Sequence, residues 1–302
     1  MIGTHGSLSP HAVTAACLVA LAVIPGDANG QVGAIGAAPM VVASGESLGV
    51  GTGAHALQPP IWTGSGMQVG AGQWAGSATV ASTPGTVQLG PVEAGFNYDQ
   101  FVIGAFYAPS DRSTLGFSMF PYIGIGLEAT GLGRKETSGR GDAAVFGKYQ
   151  LWRSGNGKTR VSGVGSIQLP IGESGYGANG TVIGLGGAVS HQLERLSLHG
   201  SLSVAVPTDD QDGETAMNVS AAAVYGVSPR VALALELNRE STSLADGFGG
   251  TVDLAYVHLA PGTRFRIGNS LILTTSLLTT LSSSVDVKPF DYAFALGLEL
   301  AR

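Results

Sequence analysis

From about residue 84 onward the chain alternates, residue by residue, between apolar side chains and small or polar ones. A period of two belongs to extended chain, whose successive side chains point to opposite faces. In "VALALELN" Val231, Leu233, Leu235 and Leu237 share one face, and Ala232, Ala234, Glu236 and Asn238 share the other. In "FDYAFALGLEL" Phe290, Tyr292, Phe294, Leu296, Leu298 and Leu300 oppose Asp291, Ala293, Ala295, Gly297 and Glu299. In "LSLHGSLSVAV" Leu196, Leu198, Leu202, Val204 and Val206 oppose Ser197, His199, Ser201, Ser203 and Ala205. Such segments run about 10 to 14 residues, longer than ordinary soluble strands and long enough to cross a bilayer at a tilt.

The connections between these segments come in two sizes, and the sizes alternate. Short turns fall at Pro109–Arg112, Ser154–Gly157, Leu193–Arg195, Val227–Pro229 and Gly268–Asn269. Longer polar loops fall at Glu128–Arg140, Glu173–Asn179, Thr208–Glu214, Glu240–Gly249 and Ser282–Lys288. A soluble sandwich has no reason to keep its tight turns at one end, whereas an outer-membrane barrel has short periplasmic turns and longer extracellular loops. Eleven strands fit between residue 95 and the end. A twelfth near Thr86–Glu93, interrupted by Pro91, gives an even count and lets the sheet close, which lipid requires. The expected fold is therefore all-β, an antiparallel up-and-down transmembrane barrel of about 12 strands, within a range of 10–14.

Composition fits two non-aqueous surfaces. Charged residues are 12% of the 302, about half the usual soluble share, and the 47 glycines are about twice the average frequency. A net charge of −6 is the wrong sign for nucleic acid. Near the N-terminus "AVTAACLVALAVIP" (12–25) has the length of a signal-peptide apolar region, followed by Ala28 and Gly30 as small residues for cleavage. The expected divisions are a signal peptide at 1–30, a Gly/Ala-rich periplasmic lead-in or partial plug at 31–83, and the barrel at 84–302. Cys17, the single cysteine, lies in the leader, so the exported chain has no disulfide to form.

"GRGDAAVFGKYQLW" resembles the G-x-GD signature of bacterial outer-membrane barrels of the MetA-pathway of phenol degradation family. The likeness continues in order through "SIQLPIGESGYG", "VSPRVALALELNRE" and "FDYAFALGLEL", covering roughly residues 92 to 300. The resemblance implies a barrel of the twelve-stranded type that takes small hydrophobic or aromatic compounds in or out. It also implies outer-membrane lipid, lipopolysaccharide and the barrel assembly machinery as partners, and the outer membrane of a Gram-negative bacterium as the location. Trp152, Tyr149, Tyr107, Tyr122, Tyr225, Tyr256, Phe290 and Phe294 are candidates for interfacial girdles.

Arg140-Gly141-Asp142 has the letters of an adhesion tripeptide but abuts an alternating strand. The better reading is the end of an outer loop, in which Gly139 and Gly141 supply backbone conformations other residues avoid. "GLGRKETSG" lacks phosphate-loop spacing and opens no helix. Its Arg134 and Lys135, with Arg140, form a basic cluster that is either solvated or set to meet lipopolysaccharide phosphates. No HExxH pair occurs, and the G-x-S-x-G letters at Gly45–Gly49 fall in the Gly/Ala-rich lead-in rather than at a strand-to-helix turn, so no enzyme, cofactor or metal site is expected. Alternation places Lys148, Gln150, Arg160, Ser162, Gln168, His199, Glu236, Asn238, Asp253, Asp291 and Glu299 away from the apolar face. A Lys or Arg facing mid-bilayer lipid costs about 2–4 kcal/mol, which assigns this set to the lumen. Two functions fit it: a channel whose lumen charges set selectivity, or a barrel with a filled lumen whose function lies in its extracellular loops.

Overall fold

The computed structural model describes residues 70–301 apart from 90–91, 130–132, 175, 178–179, 209–214, 246–250 and 284–291, and all regular elements among the described residues are β-strands. The expected signal peptide, and the lead-in as far as residue 69, lie outside the described residues. The strands are β1 (Trp74–Leu89), β2 (Val92–Ser110), β3 (Ser113–Ala129), β4 (Gly133–Gly139) and β5 (Ala143–Arg153). They continue with β6 (Thr159–Leu169), β7 (Val182–Gln192), β8 (Leu196–Pro207) and β9 (Ala216–Ser228). The last four are β10 (Val231–Ala245), β11 (Thr251–Ile267), β12 (Leu271–Ser283) and β13 (Tyr292–Ala301).

Apart from β4 and β5, each strand pairs antiparallel with its sequence neighbours, and β1 pairs with β13 from Ala75↔Ala301 to Ser82↔Phe294, closing the ring. The thirteen strands fill twelve places in the wall, because β4 and β5 share one. β4 pairs with the upper part of β3, from Ile123 to Ala129, and β5 with its lower part, from Ser113 to Met119. The break between them is Arg140-Gly141-Asp142. Most of the expected loop at 128–140 is thus sheet, and the tripeptide interrupts a wall strand rather than ending a loop. β1 likewise differs from expectation: it starts at Trp74, so the wall takes in part of the segment read as lead-in.

The alternation has the sense that a membrane imposes. Along β10, Leu233, Leu235 and Leu237 are exposed while Ala232, Ala234, Glu236 and Asn238 are buried. Leu151 and Leu185 are each 66% exposed, whereas Glu236 is 1% exposed and Arg264 0%. A water-soluble fold does the reverse. Lipid removes the penalty for the exposed leucines and makes a closed sheet obligatory, since every backbone group must find a partner within the wall.

Near the short turns the outer face carries Trp74, Tyr107, Tyr149, Trp152 and Tyr225, and towards the loop end Tyr122, Tyr292 and Phe294, all exposed. Amphipathic rings suit these two interfacial levels. Tyr256 does not join them: it stacks on the buried His258, ring centroids 6.1 Å apart, because it shares His258's inward parity on β11. Phe290 lies outside the described residues. At the tight turns Gly157 (φ 71°) and Gly268 (φ 68°) adopt the left-handed conformation that Cβ disfavours. Gly139 and Gly141 do not have positive φ, which corrects the expectation for the tripeptide. Their lack of a side chain serves packing instead, as the lumen shows.

Candidate functional site

The inner face of the ring divides into two unlike sides. On β5 to β13 it is polar and small. Lys148, Gln150, Gln168, His199, Glu236, Asn238 and Glu299, all expected away from the lipid face, are buried there, and Arg160 is half-buried. Asp291 and the side chain of Asp253 lie outside the described residues. Their strands run most of the way around the ring, with Lys148 on β5 and Glu236 on β10 on nearly opposite sides. Several polar contacts form along this side.

In the first, Arg264 on β11 reaches across β12 to Glu299 on β13, Nη2 donating to Oε2 at 2.7 Å, with both side chains buried. Arg264 pairs with Thr274, and Thr274 with Gly297, two residues before Glu299 on β13. In the second, His199 has Ser190 Oγ 2.8 Å from Nδ1 and Ser197 Oγ 2.9 Å from Nε2. Both ring nitrogens thus meet serine hydroxyls. In the third, Gln168 Nε2 donates to Asp142 Oδ2 at 2.9 Å. His258, buried on β11, has Thr280 Oγ1 3.3 Å from its Nδ1.

The other side, on β2, β3 and the top of β5, carries the large apolar side chains, with Gln100, Thr114 and Ser118 buried among them. Phe106 and Phe146 meet at a centroid separation of 5.2 Å, with Gly116 as the register partner of both. A methyl group on Gly116 would collide with the Phe146 ring, so the glycine is the seat on which that ring lies. Farther from the short turns, Val102, Phe120, Ile123 and Ala144 pack together, with Tyr98, Ile125 and Tyr176 against them. Tyr176 is not a wall residue: it comes from the connection between β6 and β7 and folds inward onto this cluster.

Little of the inner face touches water. Ser162, Val224, Ala232, Ala260 and Ala293 have no accessible surface despite their small size. Packing thus reaches wall positions that in an open porin would face solvent.

Alternation found the inward parity of β5, β8, β10 and β13. It did not single out Arg264, Asp142 or Tyr176, and counted from Asp253 it puts His258 on the opposite, lipid face, whereas His258 is buried inside on β11. For Arg264 the signal was present, because Phe265 and Ile267 set the outer parity and leave Arg264 inside. For Asp142 and Tyr176 it was absent, because their contacts join segments some thirty residues apart.

The family described as "Putative MetA-pathway of phenol degradation" matches residues 81–297. No curated protein matches the sequence. Among solved structures, an outer membrane channel from Pseudomonas putida F1 superposes with a TM-score of 0.59 at 14% identity, covering 78% of this chain and 97% of that one. The NanC porin gives 0.50 at 8% identity, covering 74% and 98%. The CymD monoaromatic hydrocarbon channel gives 0.43 at 11% identity, covering 86% and 98%. The Pseudomonas channel and the porin share the outer-membrane β-barrel fold with this chain.

Proposed function

We propose, on the premise that the chain belongs to the MetA-pathway of phenol degradation family, that this barrel passes small hydrophobic or aromatic compounds across the outer membrane. The observation that carries the reading is the apolar, aromatic stripe inside a barrel whose outside is already apolar. Phe106, Phe146, Val102, Phe120 and Ile123 face inward although no membrane requires it. A channel for hydrated ions has no use for such a stripe. A planar apolar solute exchanges water for ring contacts along it, at about 25 cal/mol per Å² of apolar surface removed from water. The polar side then meets any hydroxyl or carboxylate the solute carries, with Lys148, His199, Glu236 and Asn238 setting preference. Catalysis has no place in this reading.

In the same proposal the leader at 1–30 directs export, the barrel assembly machinery inserts residues 84–302, and residues 31–83 lead in from the periplasm or partly plug the lumen. The rim meets lipopolysaccharide through Lys135 and Arg134. Arg134 also pairs with Glu136, and Arg140 donates to the carbonyl of Ile171 at 3.1 Å, so this cluster is only partly available to lipid.

The packed inner face favours a second reading, a filled barrel whose activity lies in its extracellular loops. Flux of toluene and p-cresol into liposomes containing folded protein separates the two, with folding checked by heat-modifiable gel mobility. A channel responds to Lys148→Glu or Glu236→Lys and tolerates trimming of 208–214. A folded band that passes neither solute removes the channel and leaves the barrel.

A further inference from the structure

The seat of Tyr176 has features that packing alone does not require. Its ring lies directly over the Cα of Gly139 on β4, so close that a methyl group there would fall onto the ring. The neighbouring Gly141 is equally confined: a Cβ would stand 2.6 Å from Ile123 Cδ1 and 2.9 Å from Phe120 Cβ. Glycine backbone makes the floor, and Val102, Phe120, Ile123 and Ala144 make the walls. The niche is flat-floored, apolar and the size of one ring. Its occupant comes from the protein itself, and the side chain of tyrosine is a 4-alkylphenol.

The segment carrying this ring is tied to the strand break. Asp142 Oδ1 accepts the amide of Gly172 at 2.9 Å and Oδ2 accepts Gln168 Nε2 at 2.9 Å. The amide of Glu173 donates to the carbonyl of Arg140 at 2.7 Å, and the amide of Tyr176 to the carbonyl of Glu173 at 2.9 Å. Asp142 is 2% exposed, and Gly172 and Gly177 approach it too closely for either to carry a side chain. A buried carboxylate accepting an amide and a carboxamide makes charge-assisted bonds, stronger than neutral ones. The seat uses Gly139 and the tie uses Arg140 and Asp142, so one run of four residues carries both.

We infer that the niche over Gly139 is a binding site for one phenolic ring, and that Tyr176, on the segment held by Asp142, occupies it when solute is absent. A phenol entering the lumen competes with Tyr176 for the same floor and walls. The ties at Asp142 keep the displaced tyrosine close enough to return. The inference rests on the reading of aromatic passage above and adds to it where the ring stops and what it displaces. Wild-type affinity is the intrinsic affinity reduced by the fraction of time the niche is empty.

The test uses the full chain folded in detergent, titrated with p-cresol by calorimetry, and p-cresol flux in liposomes. Tyr176→Ala empties the niche, so it binds p-cresol at least about tenfold more tightly than wild type if Tyr176 holds the site nine-tenths of the time. Gly139→Ala intrudes on the floor and weakens p-cresol binding below the wild-type level, with heat-modifiable mobility reporting whether that variant folds. In wild type, p-cresol speeds hydrogen exchange at the Tyr176 amide, which donates to the Glu173 carbonyl, while the Gly172 amide stays protected by Asp142. If p-cresol crosses the membrane but Tyr176→Ala binds it no more tightly than wild type, the site is refuted and aromatic passage stands. If p-cresol passes through neither protein, the reading of aromatic passage falls, and the site with it.

Discussion

Whether the lumen is dry can be read from one ion pair. Arg264 and Glu299 are 2.7 Å apart, with side-chain exposures of 1% and 9%. Arg264→Met keeps most of the side-chain volume, removes the cation and leaves the Glu299 carboxylate among β11, β12 and β13. Breaking a pair buried away from water costs about 3–5 kcal/mol, chiefly because the remaining charge has no compensation. The same pair in a water-filled lumen contributes about 0–1 kcal/mol, since solvent screens both groups. With a guanidinium dependence of about 4 kcal/mol per molar, the dry case lowers the unfolding midpoint by about 1 M and the wet case hardly moves it. Unfolding from short-chain lipid vesicles, followed by tryptophan fluorescence, measures the midpoint. The control is Arg264→Met combined with Glu299→Met, which removes both charges and returns to within about 1 kcal/mol of wild type. A single variant indistinguishable from wild type refutes the packed inner face, and with it the observation that favours a filled barrel.

Three further outcomes follow from the geometry. Leu235→Arg puts a cation on the outer face midway along β10, opposite Ala223 and Pro261, and costs about 2–4 kcal/mol in bilayer unfolding, while Glu236→Gln next to it carries no lipid penalty. Gly116→Ala drives a methyl group into the Phe146 ring and destabilises by about 1–3 kcal/mol, and Phe146→Ala in the same chain relieves part of that cost. Gly268→Ala, at φ 68° with open space around it, costs about 1 kcal/mol from backbone strain alone, and Gly268→Asn costs less; equilibrium unfolding ranks the two.

The outer and inner faces were readable wherever large apolar residues marked one of them. In β10 and β13 each leucine fixes the parity of its neighbours, and lipid outside admits only one sense. β1 was hard to read because "WAGSATVASTPGTVQL" is mostly small or polar on both faces, with Trp74 and Val80 the large apolar residues exposed outside among the described side chains. Its assignment depends on pairing with β13 and β2, which no local pattern encodes. The division of one wall place between β4 and β5 was hidden for the same reason, since β3 is the template for both. Gly139 and Gly141 were recognised as constrained positions but explained by backbone freedom, the usual local cause. Their actual constraint is a ring arriving from another part of the chain, which makes it a tertiary effect.

All wall pairings except one join strands close in sequence. The exception sets residue 75 against residue 301, the two ends of the described chain. Hairpins such as β7–β8 and β9–β10 can form as soon as their own residues are available, because little loop-closure entropy opposes them. The seam cannot form until the last strand is present. Until then β1 and β13 are sheet edges, whose open backbone groups hydrocarbon tolerates poorly. Closure is therefore the slow and vulnerable step of biogenesis, and entry into the bilayer has to accompany it rather than precede it. Moving the termini to the turn at Gly268 would carry that vulnerability to the β11–β12 boundary, changing the order of assembly while leaving the finished ring the same.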